Sequence, residues 1–91
     1  MKTEQLAEEV KLLEDLEKRD IKAFIQLYKS NKDDLIIFAF SHLQDRSKVA
    51  EAIDELFEGL WVAGRFAEIE PPIYQYLLAQ LREICQRKAG R

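Results

Sequence analysis

Only one cysteine, Cys85, occurs in the 91 residues, so no internal disulfide can form and no pair of thiols exists for a zinc site. The two prolines are adjacent, Pro71 and Pro72, and glycines number three, which leaves long stretches free of helix breakers. No apolar run approaches the ~18 residues needed to cross a bilayer. The opening MKTEQLAEEV lacks the apolar segment of a secretory leader. There is no glycine-rich phosphate loop and no clustered set of metal ligands, and the one histidine, His42, stands alone at the end of an apolar run. These absences weigh against a disulfide scaffold, a membrane span and a nucleotide or metal enzyme. The expectation is a cytoplasmic non-enzyme with no catalytic residue, metal or cofactor, in which Cys85 fills core.

What is present is the balance of a compact helical protein. Apolar residues make up 47% and charged ones 34%, with a formal net charge of −3. A chain of this length supports one core, burying only ~60–65% of the surface exposed when unfolded. Charge is unevenly placed. Asp45 to Glu70 holds seven acids against three bases, whereas Arg82 to Arg91 holds four bases against Glu83. Contact with phosphates is therefore expected at the C-terminal end.

Hydrophobic spacing predicts an all-α fold, a compact bundle of about four helices in a single domain over residues 1–91, at about 3–18, 20–43, 46–64 and 72–88. The first carries Leu6, Val10, Leu13 and Leu16 on one narrow face, with Thr3 able to cap it. Asp20 is placed to cap the second, whose apolar residues include Ile21, Phe24, Ile25, Leu27 and Tyr28. The polar stretch Lys29 to Asp34 precedes the run Leu35 to Phe40. With no Gly or Pro between them, one long helix is the reading, and a break at Ser30–Asn31 the alternative.

Asp45 or Ser47 caps the third helix, where Val49, Ala52, Ile53, Leu56, Phe57, Leu60 and Trp61 form a buried stripe. Glu51, Asp54, Glu55 and Glu58 run along its opposite face. Gly59 and Gly64 weaken its end, predicting fraying after Trp61. Ala67 to Pro72 reads as a loop, and Ile73, Tyr76, Leu77, Leu81, Ile84 and Cys85 form the last stripe.

The third helix resembles region two of extracytoplasmic-function bacterial sigma factors, where one helix reads acidic, x, x, Gln, acidic, aliphatic, Phe, x, x, aliphatic, Trp. Here that frame is filled by Glu51, Asp54, Glu55, Leu56, Phe57, Leu60 and Trp61. The order around it is similar too: an acidic entry helix, Asp20 with Ala23, Phe24, Leu27 and Tyr28, and a closing Tyr76, Leu77 and Arg82. The resemblance implies a non-catalytic part in transcription initiation. Glu51, Asp54, Glu55 and Glu58 would dock on the clamp helices of the RNA polymerase β′ subunit. Arg65, Tyr74, Arg82, Glu83, Arg87 and Lys88, with Tyr76 beside them, would recognise and melt the minus-ten element of promoter DNA on the non-template strand. An anti-sigma protein is the further partner it implies.

Three departures from the family pattern carry physical consequences. Asp54 stands where the family has Gln, and Glu51 where it has Asp, so the docking face keeps its charge but loses an amide that both donates and accepts. Glu83 stands where the family has Asn beside DNA, and an ionised carboxylate repels phosphate. The family's second, helix-turn-helix domain would lie beyond Arg91, which makes the chain an excised domain or a single-domain relative. Two other readings are a sigma-like module that binds protein alone, and a helical oligomerisation domain pairing through Leu6, Val10, Leu13 and Leu16. Tyr74 is the tyrosine expected to be exposed, Tyr76 the one expected in the stripe, and Trp61 is expected in the core.

Overall fold

The starts of the two central helices each have an aspartate that ends the preceding turn and receives free N–H groups of the helix it opens. The computed structural model describes residues 2–90, with side chains described from Leu6 onward; Arg91 of the basic tail lies outside them. The first helix, α1, spans Lys2–Glu17, so Thr3 lies inside its first turn. Arg19 then takes a left-handed conformation (φ 64°). Asp20 accepts from Lys22 N at 2.9 Å and opens α2, Ile21–Leu43. This helix is unbroken through Ser30 and Asn31: their side chains bond back to the carbonyls of Gln26 and Leu27 four residues earlier, and the backbone ladder continues.

Gln44, also left-handed, closes α2 by giving its N–H to Phe40 O at 2.9 Å. Asp45 accepts from Ser47 N at 2.9 Å and Lys48 N at 3.2 Å to start α3, Arg46–Ala63. The helix ends within a residue of the expected boundary at 64. It runs to Ala63 and is closed by Gly64 in the left-handed region (φ 63°), where glycine has no Cβ to clash, so this glycine caps the helix and does not interrupt it. A single 3-10 turn, Phe66–Glu68, leads to α4, Ile73–Ala89.

The core is formed where α2, α3 and α4 pack against one another, with α1 lying across α2 and the 3-10 turn. Leu16, Leu27, Leu35, Phe66, Leu77, Leu81 and Cys85 are its most enclosed side chains. Each large apolar one contributes roughly 1.5–3 kcal/mol by leaving water. Ile69 lies within the expected loop and Phe66 just before it, yet both are buried, where the 3-10 turn meets α1. Among the described residues no polar or charged side chain is buried, so every ionisable group except Cys85 sits at or near the surface. Burial pushes the Cys85 thiol up from its ordinary range, with Lys88 opposing weakly. No described helix is long and apolar enough to cross a membrane.

Two acids of α1 hold the end of the chain in place. The N-terminus of α4 follows Pro72, which offers no side-chain cap. Glu9 supplies one from across the fold, its carboxylate accepting from Ile73 N at 2.8 Å. Glu17 likewise accepts from Ala67 N at 3.0 Å. The apolar stripe of α1 is shorter than its spacing suggests: Leu13 and Leu16 are buried but Leu6 and Val10 are exposed, because only the second half of the helix meets the bundle closely.

Candidate docking surface

Capping by Asp45 fixes where α3 begins, and burial of its apolar stripe turns Val49, Ala52, Ile53, Leu56, Phe57 and Leu60 inward. Glu51, Asp54 and Glu58 are exposed and Glu55 is half-buried. The four carboxylates do not form one uniform stripe, because the neighbouring helices divide them. Glu55 forms an ion pair with Arg87 of α4, and Lys88 lies 3.4 Å from Glu51 and 3.6 Å from Glu55. The Arg87 hydrogen bond holds the Glu55 carboxyl below its ordinary range; partial burial opposes this, and the charges of Arg87 and Lys88 reinforce it. Two expected polymerase-binding acids thus meet two expected DNA-binding bases within the fold.

Asp54 lies on the other side, facing α2, and Glu58 projects to solvent. Neither takes part in an ion pair among the described residues. Asp54 borders an open groove of about 610 Å³ between α2 and α3. Tyr28, Ile36, Ile37 and Phe40 line it from α2, and Arg46, Ala50 and the buried Val49 and Ile53 from α3. The run Leu35 to Phe40 therefore divides: Leu35 and Ala39 are buried, while Ile36, Ile37 and Phe40 are 39%, 68% and 45% exposed. Contiguous apolar surface of this kind on a small domain marks a contact site more often than a lone exposed leucine does.

Tyr74 is not the exposed tyrosine that the sequence predicts, while Tyr76 packs against the core but not fully within it. Both are half-buried against the core. Tyr74 faces α1 and α2, in a hollow with Glu9 and Leu12, away from the basic residues. Tyr76 shares a cleft of about 370 Å³ with Arg65, Gln80, Arg87 and Glu55. Helical phase at α4 decides this: two residues are ~200° apart, so only one of them faces α3. Arg82 and Glu83 are exposed on α4 and make no ion pair among the described residues.

Trp61 is half-buried, not enclosed. Phe24 packs on it with ring centroids 4.9 Å apart, and the Arg19 guanidinium lies 4.1 Å from its centroid. Arg19 also donates to the Trp61 carbonyl at 2.6 Å, satisfying one of the free acceptors at the end of α3. Sequence spacing gave no sign of this, since Arg19 is 42 residues away. His42 is exposed and rests on the Phe38 ring at 4.5 Å between centroids. No group of three potential metal ligands occurs among the described residues.

These features define an all-α domain whose distinctive chemistry is an acid-edged apolar groove on one side of α3 and an ion-paired seam on the other. Comparison with protein-family models, curated proteins and solved structures returned no match.

Proposed function

We propose that this chain is a sigma-factor-type module of bacterial transcription initiation, acting in the cytoplasm, that docks on core RNA polymerase through α3. The observation that carries the reading is the placement of Asp54: exposed, outside any described ion pair, and bordering an open groove with Ile36, Ile37 and Phe40 on its far wall. A partner helix with apolar residues on one stripe and bases along its edge fits such a surface, since the groove takes the stripe and Asp54 and Glu58 take the bases. The resemblance of Glu51 to Trp61 to sigma region two names that partner as the β′ clamp helices.

The nucleic-acid half of the reading rests on the cleft where Arg65, Tyr76 and Arg87 meet. An aromatic ring beside cations is the arrangement that binds unstacked bases of a single strand. A second reading, docking on protein alone, is favoured by the pairing of Arg87 and Lys88 with Glu55 and Glu51, which must be broken before either base can take a phosphate.

The test is a titration of the whole chain against an isolated clamp-helix fragment, in parallel with a minus-ten oligonucleotide. Asp54→Lys with Glu58→Lys is expected to weaken clamp binding at least ~100-fold, equivalent to about 2.8 kcal/mol. Helical circular dichroism should be unchanged, because both side chains are exposed. Full-strength binding by that variant refutes the docking assignment. Oligonucleotide binding that falls with salt supports the full sigma reading, and binding to the clamp alone supports the second.

A further inference from the structure

The groove face carries both members of a charge pair, set symmetrically about a small residue. Arg46, Ala50 and Asp54 follow one another at four-residue steps on α3, spanning two turns and ~12 Å. All three are exposed and border the groove. Arg46 and Asp54 are too far apart along the helix to satisfy one another, and neither has an ion-pair partner among the described residues. A two-fold axis passing by Ala50 brings Arg46 of one copy onto Asp54 of the other, twice over, and the alanine methyl lets the two helices close. Self-complementarity of this kind is what an isologous contact requires.

The apolar surface meets the same requirement. Ile37, 68% exposed, lies on the α2 wall of the groove of about 610 Å³, so an apolar projection and a hollow share one face, and in a two-fold pair the Ile37 of each copy can enter the groove of the other. We propose that the chain forms a two-fold dimer through the α2–α3 groove, with antiparallel α3 helices, paired Arg46 and Asp54, and reciprocal insertion of Ile37. The dimer covers Asp54. If the polymerase reading above holds, self-association and docking exclude one another, and the dimer is the idle form of the module.

Sedimentation equilibrium of the whole chain over a concentration series tests this without polymerase present, so failure of the dimer leaves the docking reading standing, and the reverse. The unaltered chain is expected to dimerise and Ile37→Asp to remain monomeric. Arg46→Glu and Asp54→Arg should each weaken association ~10-fold or more by placing like charges together, and the double variant should restore it. All three positions are exposed, so circular dichroism should be unchanged throughout. A monomer at every concentration overturns the proposal. So does a double variant no better than its single parents, or a dimer lost on Leu6→Asp with Val10→Asp but kept with Ile37→Asp.

Discussion

Replacing Glu55 by Gln isolates the seam between α3 and α4, because Glu55 takes part in two of its three ion pairs. The side chains are unequally exposed: 64% for Arg87 and 40% for Glu55, but 20% for Lys88. Exposed pairs contribute ~0.2–1 kcal/mol each after solvent screening, and a shared hub places the expected loss at about 0.5–1 kcal/mol. For a domain of this size that lowers the melting temperature by roughly 2–8 °C.

The pH dependence of this loss has a defined sign. The Glu55 carboxyl is held below its ordinary value of 4.5, first by the Arg87 hydrogen bond, so its contribution is complete above that value and fades as pH falls through the lowered one. The gap between wild type and Glu55→Gln should therefore be full at neutral pH and close in acid. It should also shrink in ~1 M salt, where the screening length is ~3 Å. In the oligonucleotide titration the freed Arg87, with Lys88 partly released, should steepen the dependence of log affinity on log salt by ~0.7–1.4. Thermal and urea denaturation across pH and salt provide the first readout. A stability gap that persists unchanged in acid or high salt refutes the electrostatic reasoning, and an unchanged salt slope refutes the idea that the seam restrains these bases.

Substitutions at three further positions test the interior of one helix and the ends of two. Gly59 lies inside α3 with open space where a Cβ would project, so Gly59→Ala should raise stability by ~0.4–1 kcal/mol, read as a higher urea midpoint at unchanged slope. Gly64→Ala should do the reverse, by ~1–2 kcal/mol, since its φ is +63° and the new methyl would lie 2.9 Å from the Arg19 guanidinium. Glu9→Ala removes the acceptor for Ile73 N and should cost ~0.5–2 kcal/mol by the same assay, with Glu9→Gln in between because it keeps an acceptor without the charge.

Local chemistry was the most legible part of the sequence. Asp20 and Asp45 announce their helices because a cap depends only on residues two or three positions ahead. The inward stripe of α3 is visible because its opposite face is acidic. On α2 the same method fails at Leu35 to Phe40, since a run apolar on every side has no phase, and only packing decides that Leu35 and Ala39 go inward. Phe66 and Ile69 were hidden for a related reason. Their three-residue spacing lies in a segment too short to display a period, though two large apolar residues before a proline pair are a usable signal of burial. Links across the fold left no trace: Glu9 to Ile73, Arg19 to Trp61 and Arg87 to Glu55 are separated by 64, 42 and 32 residues.

Those distant links change what the charge pattern on α3 means. Counted along the sequence, four carboxylates present one acidic face, and any basic partner should be drawn to its middle. In the folded chain Glu51 and Glu55 already face Arg87 and Lys88, which leaves the α4 side of the helix close to neutral. The uncompensated acids are Asp54 and Glu58, and Asp54 borders the side where apolar surface is also uncovered. Electrostatic attraction and hydrophobic burial therefore act at the same edge, toward α2. Whichever partner docks there, a polymerase helix or a second copy of the chain, meets the two forces together, and a substitution at Asp54 should weaken either contact where the same change at Glu51 mainly loosens the seam.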